Sequence, residues 1–359
     1  MKILHLIDTL RPGGAERMVV NLANGLYTKG QQVHVCTSRA DGVLCDELHQ
    51  GIPLLSLRRR CALDVRALWR FVVYLKRHQI THLHAHGTSF FWAWLASIFL
   101  TNMRLIWHDH YGDAEFLESR TNILLRICAN RMHLILCVNR NLVHYGREVL
   151  HVANTVYLSN FVTISKSSEQ KLIDKKTLFA PETFKIIVLA NLRPQKDHLT
   201  LFEAFAQLQL RVSAVSLHVI GAPIDLDYAQ SLNCYVGQNS LSSIYFYPTV
   251  SDPRHLMTQA DLGVLSSKSE GLPLGLLEYG LAGLPVVVTS VGACKEVVQD
   301  HGLVVPPQNP KALFEALLYM LEHPDERCQM AADFRNHVTE RYKETQVIKE
   351  LINHYAQLN

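Results

Sequence analysis

Residues 1–27 read MKILHLIDTLRPGGAERMVVNLANGLY, and this stretch carries the pattern that decides the fold. An apolar run, Lys2–Ile7, is followed by a loop with two adjacent glycines. The next segment, Glu16–Tyr27, has apolar residues at helical spacing. Strands that alternate with helices in this way predict parallel sheets covered by helices on both faces.

The same order recurs in both halves of the chain. In the first half the predicted strands are Lys2–Ile7, Gln32–Thr37, Pro53–Leu57, His82–His86, Arg104–His108 and Leu134–Val138. In the second half they are Lys185–Leu189, Ser216–Ile220, Ile244–Tyr247, Leu262–Ser266, Pro285–Thr289 and Leu303–Val305. We therefore predict an α/β protein with two Rossmann-like, doubly wound parallel-sheet domains that face a cleft.

The predicted domain boundaries follow from composition. Residues 1–163 form the first domain, the polar residues 164–183 form a linker, and residues 184–340 form the second domain. Residues 341–359 have helical spacing, and packing of this helix back on the first domain is one option.

Composition favours a soluble protein of a reducing compartment, which points to the cytoplasm. Of the 359 residues, 48% are hydrophobic and 19% are charged, so a large core can form. The N-terminal apolar run is broken by His5 and Asp8, and the apolar stretch at residues 90–100 is shorter than the ~20 residues that span a bilayer. The eight cysteines include no C-x-x-C pair.

Charge is distributed unevenly between the two halves. Residues 1–160 carry 18 Lys and Arg against 11 Asp and Glu, whereas the whole chain has a net charge of only +3. A basic first half indicates an anionic partner, such as a phosphorylated substrate or a membrane surface, although an ordinary solvated surface gives the same count.

The first candidate loop contains Gly13 and Gly14, which lie directly before a predicted helix. Adjacent glycines let backbone N–H groups approach an anion closely. The loop is neither G-x-G-x-x-G nor a P-loop, which argues against a dehydrogenase. A plain turn remains the alternative.

The second candidate loop is Ala190–His198, which reads ANLRPQKDH after a strand. Arg193 and Lys196 stand just before a predicted helix, and two cations with helix N–H groups suit a diphosphate. The alternative is a solvated loop with two surface cations.

The third candidate loop, Lys268–Gly280, reads KSEGLPLGLLEYG and carries two carboxylates, Glu270 and Glu278. They can hold two ends of one small molecule through its hydroxyl groups. Between them, the N–H groups of residues 271–274 open a helix and can point at a phosphate. A helix cap and a solvated glutamate are the alternatives, but the neighbours of Glu278 are apolar.

These fragments carry a family resemblance. The Ser269–Glu278 stretch, followed by GLAGLPVV at residues 280–287, resembles the E-x7-E region of retaining GT-B glycosyltransferases of the family-4 type. Four further fragments resemble motifs of that family and occur in the same order. They are PGGAE at 12–16, LSN at 158–160, LRPQK at 192–196 and GLVVPP at 302–307.

The resemblance implies roles for the donor-site residues. Glu270 would contact sugar hydroxyls near the reacting carbon, Glu278 would bind the ribose, and Lys196 would stabilise the departing diphosphate. Further donor contacts would come from Gly13, Gly14, Asn191, Gly271, Leu272, Pro273 and Leu274. The family usually has an arginine where this chain has Asn191, and our hypothesis is that Arg193 supplies the missing charge.

On the acceptor side, the resemblance implies a histidine at the end of the strand Arg104–His108. His108 is the expected match and potential proton acceptor, with Asp109 and His110 as rivals. The histidines at 82, 84 and 86 alternate along a strand, so they should share one face, where we expect hydrogen-bonding groups rather than metal ligands. No metal and no cofactor are expected, because the nucleotide sugar is a substrate.

The sequence therefore predicts a retaining glycosyltransferase of the hexosyl or N-acetylhexosaminyl type. It would move sugar from a nucleotide-sugar donor to a glycan or lipid-linked saccharide acceptor, in bacterial surface-polysaccharide synthesis. A sugar-nucleotide epimerase and a non-catalytic sugar-nucleotide-binding subunit are the alternatives, and nucleic acid is not an expected partner. The basic, amphipathic segment Leu63–Arg77 would suit peripheral contact with an anionic membrane on its inner face, or would simply cover the sheet.

Overall fold

The computed structural model describes residues 1–113, 115–120, 123–163, 183–247 and 253–358. Except for Thr183, the predicted linker lies outside these residues. Contacts divide the chain into two compact units. The first unit is Met1–Thr163 together with Tyr342–Asn359, and the second unit is Ile164–Arg341.

The first unit is a seven-stranded parallel sheet with helices between its strands. Its strands are β1 (Lys2–Thr9), β2 (Gln32–Ala40), β3 (Leu54–Ser56), β4 (His82–His86), β5 (Arg104–Asp109), β6 (Leu134–Cys137) and β7 (Thr155–Tyr157). The α-helices of this unit that precede the second unit along the chain are α1 (Gly14–Thr28), α2 (Val65–Arg77), α3 (Phe90–Ser97), α4 (Ile123–Ala129) and α5 (Arg140–His144). The strand order is β3-β2-β1-β4-β5-β6-β7, so β1, β4 and β5 lie at its centre.

The second unit repeats this design with six parallel strands. They are β8 (Phe184–Leu189), β9 (Val215–Ile220), β10 (Ile244–Tyr247), β11 (Leu262–Leu265), β12 (Val286–Thr289) and β13 (Leu303–Val305), in the order β10-β9-β8-β11-β12-β13. Its helices are α6 (His198–Gln209), α7 (Leu226–Gln238), α8 (Arg254–Met257), α9 (Leu274–Ala282), α10 (Cys294–Val298), α11 (Pro310–Glu322) and α12 (Pro324–Arg341). In both units the central strands are almost fully buried, as expected for a parallel sheet with helices on its faces.

The C-terminal helix α13 (Glu344–Ala356) belongs to the first unit, where it packs against α1. Gly25 of α1 permits this close approach, because a Cβ there would lie 2.7 Å from Ile348 Cδ1. Tyr355, near the end of α13, is fully buried. The end of the chain is thus part of the first unit's core.

The structure confirms the predicted fold class, two doubly wound parallel-sheet units. Sequence patterns missed β7, whose three residues pair with β6 at the sheet edge and are too few to show a period. They also left the apolar segment Phe90–Ser97 unassigned, although it forms α3. Among the described residues, no helix has both the length and the apolar character that crossing a bilayer needs.

Candidate functional site

The loop between β8 and α6 presents the predicted basic pair. Pro194–Lys196 form a single 3₁₀ turn, and Asp197 then takes a left-handed conformation (φ 47°) that leads directly into α6. Asp197 is held there by Thr200 Oγ1, which donates to Asp197 Oδ2 at 2.7 Å. The turn fixes Lys196 at the carboxyl end of β8, partly buried, while Arg193 is exposed.

The loop that follows β11 lies against the first, because β8 and β11 are neighbouring strands. Ser266 Oγ donates to the carbonyl oxygens of Lys196 and Asp197, each at 3.1 Å. Lys268 N donates to Gln195 O at 2.8 Å. Hydrogen bonds therefore join the two loops into one structure.

This arrangement brings two of the predicted residues together. Lys196 Nζ lies 2.6 Å from Glu270 Oε1, and Ser267 Oγ donates to the same oxygen at 2.6 Å. Glu270 is 4% exposed, so its carboxylate is almost removed from water, and a buried carboxylate needs such partners. We call Lys196, Ser267 and Glu270 the carboxylate triad.

The start of α9 lies immediately after the carboxylate triad. Residues 271–274 are buried, and α9 begins at Leu274 after Pro273, whose backbone is extended. The first N–H groups of a helix have no hydrogen-bond partner within the helix, and they form the positive end of the helix dipole. The chain must pass closely here, since a Cβ at Gly292 (φ +52°) would lie 2.1 Å from Glu270 O. The helix start that the sequence predicted is thus present at this edge, and its binding of an anion stays a prediction.

Glu278 lies on the second turn of α9 and is half-buried. The next residue, Tyr279, anchors the helix to the sheet, because its hydroxyl accepts a hydrogen bond from Leu189 N at 2.6 Å. A Cβ at Gly263 of β11 would lie 2.8 Å from the Tyr279 ring, so the glycine makes room for it. This anchor fixes the position of Glu278 relative to the end of β8.

Asn191, at the position of the family arginine, has a structural contact. Its Oδ1 accepts a hydrogen bond from Ala222 N at 2.9 Å, which joins the ends of β8 and β9. A Cβ at the neighbouring Gly221 would lie 2.0 Å from Ala190 O, so the two strand ends are in close contact. Where the resemblance implies an arginine, this chain therefore has an amide side chain that joins two loops by a hydrogen bond.

In the first unit, the glycine loop precedes α1 as predicted. Gly13 has an extended backbone and caps α1, which begins at Gly14. Arg17 N donates to Gly13 O at 2.9 Å.

The three acceptor-side residues occupy different environments. His108 is fully buried, and within the described part of the chain neither of its ring nitrogens has a hydrogen-bond partner. Asp109 is paired with the Arg120 guanidinium by two hydrogen bonds of 2.6 and 2.8 Å. His110 is partly exposed, and its ring stacks on His108 with centroids 4.0 Å apart. Burial lowers the pKa of His110 to about 4, so the ring is neutral at neutral pH.

Sequence reasoning missed Ser267 and Asp197. Asp197 Oδ1 forms an ion pair of 3.4 Å with Lys268 Nζ, beside the carboxylate triad. The available signal was position, since Ser267 directly follows the strand end and Asp197 directly follows Lys196.

Two family models match the chain. The model described as "Glycosyltransferase Family 4" matches residues 12–166, and the one described as "Glycosyl transferases group 1" matches residues 169–337. Together they cover nearly the whole chain, and each corresponds to one of the two sheets. The chain therefore belongs to the glycosyltransferases with the GT-B fold.

Relatives agree with this assignment. The chain is 26% identical to EpsD of Bacillus subtilis (strain 168) over 56% of its length, and the match spans about half (52%) of EpsD. It is 22% identical to the N-acetyl-alpha-D-glucosaminyl L-malate synthase of Bacillus anthracis over 94% of this chain and 92% of that protein. It is 29% identical to the O-antigen biosynthesis glycosyltransferase WbnH of Escherichia coli over 40% of this chain and 45% of that protein.

A solved structure of similar fold is Anabaena Alr3699/HepE in complex with UDP-glucose. The TM-score is 0.84 at 21% identity, over 99% of this chain and 100% of that one. This likeness extends the agreement in fold to the whole chain.

Proposed function

We propose that this glycosyltransferase moves a hexosyl or N-acetylhexosaminyl group from a nucleotide sugar to a glycan or lipid-linked saccharide, with retention of anomeric configuration, in surface-polysaccharide synthesis. The carboxylate triad beside the start of α9 carries the proposal. The relatives named for O-antigen biosynthesis and N-acetylglucosaminyl transfer support the setting and the sugar class, and the UDP-glucose complex of HepE supports a uridine diphosphate donor.

Lys196 is assigned to the leaving diphosphate. Breaking the bond between the sugar and the phosphate leaves negative charge on the diphosphate, and a fixed cation stabilises that charge more than it stabilises the bound donor. An ammonium group has three N–H donors, so Lys196 can keep its 2.6 Å contact with Glu270 while it donates to a phosphate oxygen. The N–H groups at the start of α9 add a second, uncharged source of stabilisation.

Glu270 is assigned to the donor sugar and Glu278 to the ribose. One oxygen of Glu270 is occupied by Lys196 and Ser267, which leaves the other to accept from a sugar hydroxyl. Glu278 stands on the second turn of α9, farther from the loop end, as the ribose would be. The backbone between the two carboxylates comes from Gly271, Leu272, Pro273 and Leu274. Arg193 supplies a second, exposed cation.

Among the acceptor-side candidates, we favour His110. It is partly exposed, whereas His108 is closed in the core and Asp109 is committed to Arg120. Its neutral ring can accept a proton from an acceptor hydroxyl. Gly13 and Gly14 are proposed to contact the donor from the first unit.

The proposed transfer assigns leaving-group stabilisation to Lys196, Arg193 and helix N–H groups, so it has no metal requirement. The test is transfer in EDTA with UDP-glucose and UDP-N-acetylglucosamine as donors. Mass spectrometry would identify the product, and the proton coupling of its anomeric carbon would give its configuration. An inverted product would overturn retention. Conversion of the donor without acceptor would indicate an epimerase, and donor binding without turnover would indicate a binding subunit.

The surface of α2 supports a peripheral membrane contact. Val65, Trp69 and Val73 recur every four residues and are exposed, Trp69 by 67%. The buried residues Ala67, Phe71 and Leu75 lie on another face of the helix, so this apolar row is not needed for the core. Exposed arginines at positions 58, 60, 66, 70 and 77 complement an anionic bilayer. We propose that this row meets the membrane that carries the acceptor.

A further inference from the structure

Four histidines on three strands, together with His110 just after the end of β5, converge in the first unit. We call His5, His84, His86, His108 and His110 the histidine cluster. In the parallel register His5 is opposite His84, and His86 is opposite His108, so these side chains share one face of the sheet. The rings of His84 and His86 stack with centroids 4.3 Å apart, and His5 lies 4.8 Å from His84.

The hydrogen-bonding capacity of the histidine cluster is only partly used. His5 Nδ1 lies 2.9 Å from His86 Nε2, and His86 Nδ1 lies 3.0 Å from His110 Nε2. In contrast, His5 Nε2, His84 Nε2 and both ring nitrogens of His108 are buried without a hydrogen-bond partner among the described residues. Buried polar atoms nearly always have partners, so these nitrogens indicate a group that the protein atoms do not supply.

Three buried members of the cluster have the geometry of a ligand set. His5, His84 and His86 each offer one ring nitrogen, and these nitrogens all lie within 4.8 Å of one another. Two imidazoles on a tetrahedral zinc ion would have nitrogens ~3.3 Å apart, given Zn–N bonds of ~2.0–2.1 Å. Binding an ion would also require His86 to exchange one of its two ring contacts, to His5 or to His110, for the ion.

One ligand already has the outer contact that metal-binding histidines usually show. His84 Nδ1 lies 2.5 Å from the Tyr355 hydroxyl, while its Nε2 is the nitrogen without a partner. When His84 Nδ1–H donates to the Tyr355 hydroxyl oxygen, Nε2 carries the lone pair that can bind an ion. Tyr355 comes from α13, so the C-terminal helix covers the cluster.

We propose that the first unit binds one divalent transition-metal ion of the zinc class through His5, His84 and His86. Imidazole nitrogens suit zinc, copper or nickel, whereas calcium and magnesium prefer oxygen ligands that these three residues do not offer. A water molecule or His108 completes the coordination.

This ion would be structural. The ligands come from β1 and β4, whereas the carboxylate triad lies in the second unit, and the zinc-binding test below does not depend on sugar transfer. It replaces our expectation from the sequence that these histidines are only hydrogen-bonding groups.

The test uses the full-length chain without a histidine tag. The protein is dialysed against EDTA, equilibrated with ZnCl2 and passed through a desalting column, and bound zinc is counted by plasma mass spectrometry. We expect one zinc per chain and a rise in Tm. His5→Phe and His84→Phe keep a ring of similar size but remove its nitrogens, and both should lose the zinc and the rise in Tm.

The matched control is His198→Phe. His198 is as deeply buried, but it belongs to none of the three-ligand groups found among the described residues. This variant should retain the zinc.

A second measurement needs no variant. Co²⁺ bound to the wild-type chain should give the intense visible absorption of a nitrogen-ligated, low-coordinate ion, and zinc should displace it. Wild-type protein that retains no zinc, histidine variants that retain it fully, or the weak spectrum of hydrated Co²⁺ would each overturn the proposal. Such results would leave ordered water as the partner of these nitrogens.

Discussion

The carboxylate triad of the second unit and the histidine cluster of the first unit satisfy buried polar groups in different ways. In the triad, a carboxylate is matched by an ammonium and a hydroxyl from the same sheet edge. In the cluster, imidazoles contact one another, and four buried ring nitrogens have no hydrogen-bond partner among the described residues. The triad therefore satisfies its buried carboxylate with groups of the protein, whereas the cluster leaves buried nitrogens to which we assign the proposed ion.

The largest expected effect comes from Lys196→Ala. The change removes the cation next to the leaving group, and kcat should fall by about 10²–10³-fold. The change also removes one of the two described hydrogen bonds to the Glu270 carboxylate and leaves the one from Ser267. The free energy of unfolding should therefore fall by about 1–3 kcal/mol. Steady-state kinetics with a UDP-sugar donor and urea unfolding measure the two effects.

Lys311→Ala is the control for that change, because Lys311 is an exposed lysine on α11. Its kinetics and stability should match those of the wild type. A Lys196→Ala enzyme with normal kcat would remove Lys196 from the mechanism.

Acid should destabilise the protein through buried neutral histidines outside the histidine cluster as well. Burial lowers the pKa of His198 to about 4 and that of His218 to about 3, against about 6.5 in the unfolded chain. Below pH 6.5 the unfolded state therefore binds protons that the folded state excludes. Stability is complete above pH 6.5 and should fall by about 1.4 kcal/mol per pH unit for each histidine as the pH drops toward 4.

Urea unfolding at pH 7.5, 6.0 and 5.0 in EDTA, followed by circular dichroism, measures this slope. His218→Asn should reduce the slope by the share of one histidine. Equal slopes for wild type and His218→Asn would show that His218 is protonated in the folded state.

A smaller effect is expected for Arg193→Ala. Arg193 is exposed, and water screens its charge, so kcat/KM should fall about tenfold, or about 1.4 kcal/mol, with no change in stability. The comparison with Lys196→Ala tests whether Arg193 replaces the family arginine. Full activity in Arg193→Ala would mean that nothing in this loop replaces it.

The smallest effect is expected for Trp69→Ser on α2. Removal of this exposed ring should weaken binding to anionic vesicles roughly threefold to tenfold, while transfer to a water-soluble acceptor is unchanged. Flotation with phosphatidylglycerol vesicles at low salt measures it. Leu210→Ser, which removes another exposed apolar side chain from the second unit, is the control. Wild-type protein that does not float would refute the membrane contact.

Much of the candidate site was predictable, because its residues are close in sequence to strand ends. Lys196 and Glu270 each follow a strand by a few residues, and the ends of neighbouring parallel strands must meet at one edge. The expectation that His82, His84 and His86 share a face was also confirmed, since alternation along a strand is a local property. The sequence could not assign a role to Ser267, because the hydrogen-bond partner of its hydroxyl depends on which groups the folded loop places next to it.

The sequence by itself determined the alternation of strands and helices, the glycine and basic loops, and the family to which the chain belongs. These depend on the spacing of residues within single elements. Only the tertiary structure decided which strands are neighbours, and so it alone placed His5 beside His84, which is 79 positions away, and His86 beside His108. Strand order arises from the packing of whole elements, and no local pattern of residue types records it.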